Sequence, residues 1–292
     1  AILNGPKEAV VAETITDRIR RYILDGGDAD LRRLLSVSEL TADAAGRALR
    51  EAGVERGYSA LDCGCGPIGA LAVLAELVGP SGRVVGVDAS PAAIDRARSV
   101  TAALGLGNVE LVAGDLHELD ADALGGPFDV AFSRLFLMHQ LDPVRTLRHI
   151  AGLLRPDGTI VVHEALRDPA PRSQPPLDAL ADYWELLHTV LERSGRPAQT
   201  VANLPRSAQA AGLDVVAASG FFLLAEPPEL GFELHAATAA AARDRALALG
   251  VSAETIDELI STLRMAAAGD YEWVCTPFFL DLTLRKPALG SG

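Results

Sequence analysis

Lysine is almost absent from this 292-residue chain: of its 26 basic residues, only Lys7 and Lys286 are lysines, and 24 are arginines. Acidic residues nevertheless outnumber the basic ones, and the formal net charge is −13 at pH 7. A surface of that sign repels phosphate backbones and anionic lipid headgroups. The composition therefore predicts neither a nucleic-acid partner nor a membrane partner.

Cysteine is also scarce. Cys63 and Cys65 are separated by one residue, and Cys275 is far along the chain. This spacing fits neither a disulfide framework nor the paired cysteines of a zinc site, so no metal site is expected. The sequence also lacks an apolar run of roughly 18 residues, and its first residues do not have the pattern of a signal peptide. We therefore expect a cytoplasmic protein.

Short apolar segments alternate with helical segments from Tyr58 onward. The first five strand candidates are YSALD, RVVGVD, VELVA, FDVAFS and GTIVVHE, and two later ones are LDVVAASGFFLL and YEWVCTPFFLDLTL. Because parallel strands need crossover connections, this alternation predicts an α/β fold with helices on both faces of a mostly parallel, seven-stranded sheet.

The remaining segments read as helical additions to that sheet domain. Residues 1–57 are expected to form an N-terminal helical cover, and residues 58–292 the sheet domain. Two helical insertions are expected near residues 166–200 and 233–269. All three additions are able to lie over the carboxyl edge of the sheet, where open α/β sheets bind their ligands.

The stretch LDCGCGPIGA places Gly64, Gly66 and Gly69 in the G-x-G-x-x-G spacing of dinucleotide-binding loops. Asp62 directly precedes the glycines and would repel a pyrophosphate, while Pro67 has no N–H to donate to one. A carboxylate at this point favours an ammonium group instead, such as that of S-adenosylmethionine. A purely structural role for Asp62, capping the loop, stays open.

Two further acidic positions follow strands. Asp88 ends RVVGVD, where an acidic side chain meets the ribose hydroxyls of either cofactor, although a plain helix-start aspartate fits as well. Asp115 lies in Gly114–Leu116 after the third strand, where it could accept from an adenine amino group. A glycine and an aspartate after a strand also form ordinary turns.

Together these elements resemble the class I S-adenosylmethionine-dependent methyltransferases, which have a Rossmann-like fold. The resemblance rests on LDCGCGP, VGVDAS, AGDL, FDVAFSR with LMHQLDP, and LLRPDGTIVV, and it is strong over residues 58–165. It implies S-adenosylmethionine as cofactor and S-adenosylhomocysteine as product. RYILDGGDADLRRL is similar to the lead-in of bacterial small-molecule members, in which a tyrosine closes over the cofactor. The cofactor-binding residues that the resemblance implies are Tyr22, Asp62, Gly64, Gly66, Asp88, Ala89, Gly114, Asp115, Leu116 and Ser133.

One position departs from the family pattern. Ile68 follows Pro67, where many relatives have a glycine, and here the glycine comes one place later. We expect the branched side chain of Ile68 to narrow the methionine side of the cofactor site.

Methyl transfer is an in-line displacement that needs alignment above all, and a base only if the nucleophile must lose a proton. Glu164, at the end of the fifth strand, and His139, in LMHQLDP, are the candidate catalytic residues, with Ser133 and Arg134 nearby. His163 and Glu164 are adjacent, so on a strand they point to opposite faces.

Substrate contacts are expected from His163 and from one helix of the first insertion. Trp184 and His188 share a face of that helix, and Tyr183 is adjacent to it. The cluster suggests a pocket for a flat or apolar molecule, although packing of the helix against the core explains it equally well.

These observations favour methyl transfer to a small, aromatic or apolar natural-product metabolite, with the acceptor atom (C, N or O) left open. The alternatives are a nicotinamide-dependent oxidoreductase, which Asp62 and Pro67 disfavour, and a non-methylating enzyme or binding protein on the same fold. A homodimer or higher homo-oligomer is possible.

Overall fold

The computed structural model describes residues 29–197 and 199–287. The helices in these ranges are α1 (Ala29–Glu51), α2 (Leu71–Val78), α3 (Pro91–Leu104), α4 (Pro143–Leu153), α5 (Ala179–Arg193), α6 (Leu204–Ala210), α7 (Pro228–Ala248) and α8 (Ala253–Ala267). The strands are β1 (Ser59–Cys63), β2 (Arg83–Asp88), β3 (Val109–Ala113), β4 (Phe128–Arg134), β5 (Leu154–Ala165), β6 (Ser173–Gln174), β7 (Asp214–Phe221), β8 (Leu224–Ala225), β9 (Trp273–Cys275) and β10 (Phe279–Arg285). Tyr22 lies outside the described residues.

Seven strands form the main sheet in the order β3-β2-β1-β4-β5-β10-β7. The first five are parallel to one another, and β10 runs antiparallel to both β5 and β7. The strands β1, β2 and β4 consist almost entirely of buried residues, as expected of parallel strands covered on both faces. The predicted Rossmann-like, mostly parallel, seven-stranded sheet is confirmed.

Helices cover both faces of this sheet. Ala45 and Leu49 of α1 pack with α2, α3 and one face of the central strands. Leu147 and Ile150 of α4 pack with α6 and the opposite face. Each of the parallel strands β1 to β4 is followed by a turn or helix that begins at its carboxyl end. These beginnings therefore lie along one edge of the sheet.

The additions to the sheet domain have a core of their own. Helices α5, α7 and α8 share a buried apolar cluster with Ala165 at the end of β5 and Phe279 at the start of β10. We call these three helices the cap. A small antiparallel sheet, β6-β9-β8, borders the cap. The single last strand expected from YEWVCTPFFLDLTL is wrong, because Thr276–Phe278 separates β9 from β10 and the two strands belong to different sheets.

α1 lies beside the cap, where it contacts α7 as well as α2 and β5. Its buried side chains include Leu31 and Leu35 near its start and Leu49 near its end. None of the helices in the described ranges is long and apolar enough to cross a membrane.

Candidate active site

In the glycine loop after β1, the backbone amides of residues 64–66 donate to groups of the protein itself and are not free to bind an anion. The amides of Gly64 and Cys65 both donate to the carbonyl oxygen of Val87, at 2.9 and 3.0 Å. The amide of Gly66 donates to Oδ2 of Asp88 at 2.9 Å, and Pro67 has no N–H. Residues 64–67 therefore offer a pyrophosphate no free amide, whereas a cofactor without phosphates needs none.

Gly66 also gives the loop an open surface. Its φ of +54° favours glycine, and a Cβ at this position would meet no atom of the described protein within 4 Å. A ligand is thus able to approach the backbone at Gly66. This open side fits a nucleoside cofactor lying along the carboxyl edge of β1 and β2.

Asp62 lies beneath the loop, where it is 1% exposed. Its Oδ2 accepts the amide of Ala70, which precedes α2, at 2.8 Å. Burial raises its pKa to about 6, opposed by the Ala70 N–H and by the charge of Arg134. These contacts support the capping role that the sequence left open for Asp62.

The expectation for Ile68 is wrong. Its side chain is 1% exposed and packs away from the loop, into a cluster with Leu35 of α1 and Val100 and Leu104 of α3. Gly69 turns the chain here with a φ of +47°, and a Cβ on it would stand 2.4 Å from Oδ2 of Asp62. The turn directs Ile68 into the core, so its side chain does not narrow the cofactor site.

The carboxylate of Asp88 binds both the glycine loop and the residue that precedes α3. While Oδ2 accepts from Gly66, Oδ1 accepts the amide of Ser90 at 2.8 Å. The side chain of Asp88 is partly exposed, and the neighbouring Ala89 is exposed. A carboxylate has about four acceptor positions, so Asp88 retains the capacity to accept ribose hydroxyls.

The third strand ends in a similar arrangement. The amide of Gly114 donates to the carbonyl oxygen of Asp88 at 3.0 Å, which joins the ends of β2 and β3. Oδ1 of the exposed Asp115 accepts the amide of His117 at 2.9 Å, while the side chain of Leu116 is buried. The residues expected at the ribose and at the adenine thus occupy adjacent strand ends.

β4 ends with Ser133 and Arg134, of which the second connects α1 to the glycine loop. Ser133 is fully buried and its hydroxyl has no hydrogen-bond partner in the described part of the chain, which argues against direct contact with a cofactor. Arg134 donates to Thr41 of α1 and to the carbonyl oxygen of Gly69, both at 2.5 Å. Burial lowers the pKa of Arg134 to about 10, so its charge persists at neutral pH. Arg134 thereby fixes α1 to the glycine loop.

Glu164 is fully buried and binds the chain that follows β4. Its Oε1 accepts the amides of Phe136 and Leu137 at 2.9 and 2.7 Å, and its Oε2 accepts the amide of Met138 at 3.3 Å. Burial raises its pKa to about 7, and the three N–H groups oppose that shift. This geometry favours a positioning role for Glu164 over direct contact with a substrate.

Phe136 is the residue of this site that the sequence did not single out. A Cβ on Gly64, whose φ is +70°, would lie 2.3 Å from Cδ2 of Phe136, so the ring rests directly on the glycine loop. An aromatic residue two positions after a strand has no distinctive pattern. Its place depends on Glu164, which lies 28 residues later in the chain and accepts the Phe136 amide.

His139 ends the short 3₁₀ helix Leu137–His139, and part of its side chain is open to solvent. Desolvation of the ring lowers its pKa to about 4, with further lowering by Arg196 and Arg245. The ring is therefore neutral at pH 7 and has a nitrogen lone pair for a proton, but a pKa of about 4 makes it a weak base. The backbone carbonyl oxygen of His139 accepts from Nε of Arg196 at 2.8 Å, which connects the 3₁₀ helix to the segment after α5.

His163 points to the sheet face opposite Glu164, and it is fully buried. Its Nδ1 lies 2.7 Å from Oδ1 of Asp281 on β10, although this contact is not aligned as a hydrogen bond. Rings of Phe132, Phe221 and Phe279 surround it at 4.5 to 6.5 Å. Burial lowers its pKa, so the ring is neutral. In this arrangement His163 reaches no open surface.

Tyr183, Trp184 and His188 lie within the cap and are buried. Tyr183 contacts the ring of His235 on α7 at 4.8 Å, and Nε1 of Trp184 donates to the carbonyl oxygen of Arg167 at 2.7 Å. His188 meets the Trp184 ring edge-on at 4.8 Å. These contacts support the packing interpretation. His188 also borders a cavity of about 100 Å³ that includes Met138, next to the loop held by Glu164.

Comparison with known families agrees with this geometry. A family model described as a methyltransferase domain matches residues 54–195, which include the glycine loop, Asp88, Asp115 and the loop after β4. Residues 54–195 match a methyltransferase domain, in agreement with the resemblance to the class I enzymes. This family uses S-adenosylmethionine, so the family, the enzyme class and the cofactor implied by the resemblance are confirmed for the domain.

Curated relatives of the methyltransferase domain include an uncharacterised 37.1 kDa protein in a transposon of Streptomyces fradiae. It is 36% identical over 166 residues, which are 57% of this chain and 47% of the relative. A demethylmenaquinone methyltransferase of Staphylococcus aureus is 31% identical over 140 residues, 48% of this chain and 54% of the relative. The chain thus spans about half the length of the curated relatives it matches.

Solved structures extend the likeness of the fold beyond the methyltransferase domain. The cyclase SpnF is 20% identical, with a TM-score of 0.54 over 84% of this chain and 83% of that one. A mycolic acid cyclopropane synthase in complex with SAH and CTAB is 17% identical, with a TM-score of 0.53 over 86% and 84%. At these identities the likeness shows the fold alone.

Proposed function

We propose that the whole protein is an S-adenosylmethionine-dependent methyltransferase acting on a small metabolite. The observation that carries the proposal is the glycine loop, whose amides at residues 64–66 are already bound within the protein while the side of Gly66 is open. Such a loop suits a nucleoside cofactor without phosphates. In this proposal Asp88 and Ala89 meet the ribose, and Gly114, Asp115 and Leu116 meet the adenine.

S-adenosylmethionine supplies a methyl group already activated by the sulfonium, so the protein's task is to bind, align and exclude water. Gly64 and Gly66 would border the methionine end, with Asp62 shaping the loop from below. His139, neutral at pH 7, is the proposed proton acceptor if the acceptor atom must lose a proton. Glu164 positions the loop that precedes His139.

The cap supports a small acceptor rather than a macromolecule. α1, α5, α7 and α8 lie around the ends of β5 and β10, and Arg134 binds α1 to the glycine loop. Enclosure of this kind suits an apolar or aromatic metabolite of specialised metabolism. The net charge of −13 disfavours a nucleic-acid substrate.

A second candidate is a non-methylating enzyme on the same fold. The likeness in fold to the cyclase SpnF over 84% of this chain is the observation that favours it. Such an enzyme would bind the same cofactor and leave the methyl group in place.

Incubation with methyl-labelled S-adenosylmethionine and a panel of aromatic, terpenoid and polyketide acceptors tests the proposal. We expect label on a small acceptor, with S-adenosylhomocysteine formed in equal amount. Conversion of an acceptor without gain of label would favour the second candidate, and absence of cofactor binding would contradict both.

A further inference from the structure

Gly64 and Gly66 belong to one loop but face different surroundings. Gly66 faces open space, whereas the α-carbon of Gly64 is covered by the ring of Phe136. A Cβ on Gly64 would lie 2.3 Å from Cδ2 and 2.9 Å from Cγ of that ring. The glycine at position 64 is therefore required by Phe136, whose ring covers this end of the loop.

The backbone around Phe136 is held from two sides. Three consecutive amides, those of Phe136, Leu137 and Met138, donate to the Glu164 carboxylate, and the amide of Leu135 donates to the carbonyl oxygen of His163 at 3.0 Å. The side chain of Leu137 is fully buried in the central core. The backbone position of Phe136 is thus fixed by contacts other than those of its ring.

We propose that Phe136 forms the wall against the sulfonium end of the cofactor and that Glu164 is the positioning residue that holds it there. The inference rests on the proposed function. The face of an aromatic ring attracts a cation that has lost its water. The sulfonium loses its charge when the methyl group leaves, so the ring favours S-adenosylmethionine over S-adenosylhomocysteine. Phe136 would accordingly hold the substrate form of the cofactor and release the product form more readily.

The first test compares the affinities of both cofactor forms by calorimetry on the full chain. Phe136→Leu keeps an apolar side chain but removes the ring. We expect it to weaken binding of S-adenosylmethionine about fivefold and that of S-adenosylhomocysteine less than about twofold, since only the former is charged at sulfur. A purely structural role would change both affinities by the same factor.

Phe222→Leu is the matched control. Phe222 is also partly buried and packs edge-on against another ring, that of Phe278, at 5.2 Å. It follows β7, which three strands separate from β1 in the sheet. We expect Phe222→Leu to leave both affinities and their ratio unchanged.

The second test asks whether Glu164 acts through Phe136. Glu164→Gln keeps one acceptor oxygen for the loop and is expected to fold. The substitution should weaken the binding of S-adenosylmethionine more than that of S-adenosylhomocysteine. This difference between the two affinity losses should vanish in the Phe136→Leu background. Equal, additive losses in both backgrounds would overturn the positioning role.

Three results would overturn the inference in distinguishable ways. An unchanged ratio of the two affinities in Phe136→Leu, with normal binding by the wild type, would refute the role of Phe136 alone. Tighter binding of both forms by Phe136→Leu would show that the ring blocks the site. A wild-type chain that binds neither form would refute the proposed function and this inference together.

Discussion

Oδ2 of Asp88 and the amide nitrogen of Gly66 lie 2.9 Å apart and are joined by a hydrogen bond. The second carboxylate oxygen of Asp88 binds the amide of Ser90, so one side chain connects the glycine loop to the start of α3. Asp88 therefore shapes the loop and remains partly exposed beside it. This double role makes Asp88 the most informative residue of the cofactor site.

Replacing Asp88 with alanine should weaken cofactor binding at least tenfold. A charge-assisted hydrogen bond contributes roughly 1.5 to 3 kcal/mol, and the loop also loses the acceptor for Gly66. Calorimetry with S-adenosylhomocysteine measures the effect. Asp95→Ala, on the exposed surface of α3 where it pairs only with Arg98 among the described contacts, should leave the affinity unchanged. Unchanged affinity in Asp88→Ala would refute its place in the cofactor site.

Ile68→Ala should destabilise the fold without altering the cofactor site. Removing a fully buried branched side chain from the cluster with Leu35 and Val100 should lower the free energy of unfolding by about 3 kcal/mol. Urea denaturation measures this change, and Leu141→Ala, at a leucine that is 68% exposed, is the control. A large change in cofactor affinity with unaltered stability would show that Ile68 faces the ligand after all.

Asp62→Asn should remove a pH dependence of stability. The pKa of Asp62 rises from 3.8 to about 6 on folding, so the folded state retains the proton more tightly between these values. Stability therefore decreases as the pH rises through this window and is constant above it. The window spans about two units, or about 3 kcal/mol.

Asparagine keeps an acceptor for the amide of Ala70 but does not ionise. The stability of Asp62→Asn relative to the wild type should accordingly increase by about that amount between pH 4 and pH 7. Urea denaturation at several pH values gives the two curves. Parallel curves would show that Asp62 is not a buried acid.

Trp184→Phe tests whether the aromatic residues of the cap are structural. The change leaves the carbonyl oxygen of Arg167 without the Nε1 donor and should lower the free energy of unfolding by about 2 kcal/mol. Cofactor affinity should not change, because α5 lies apart from the glycine loop. If stability is unaltered while the KM for an identified acceptor rises, Trp184 lines the substrate pocket instead.

The sheet and the edge that carries the candidate cofactor residues were predictable from the sequence because both depend on local patterns. Alternating strand and helix segments determine a parallel sheet, and strand-end residues such as Asp88 and Gly114 then lie at one edge. Pro67 and Asp62 predicted a loop unsuited to pyrophosphate, and titration with NAD tests that prediction. The partners of its amides, such as the carbonyl of Val87, were not predictable.

The remaining features depend on contacts between distant segments. Ile68 points into the core because Gly69 turns the chain over Asp62, and nothing in the order of residues reveals that direction. Glu164 was expected to act in catalysis, but both its carboxylate oxygens accept backbone amides from a loop about 27 residues earlier in the chain. Packing of Phe136 on Gly64 likewise joins residues from two different strand ends.

Calorimetric titration of the full chain with S-adenosylhomocysteine and, separately, with NAD tests the central claim most directly. We predict that S-adenosylhomocysteine binds one to one, that Asp88→Ala weakens it at least tenfold, and that NAD does not bind, since the amides at residues 64–66 are occupied. Binding of NAD, or equal affinities of the wild type and Asp88→Ala for S-adenosylhomocysteine, would contradict the account.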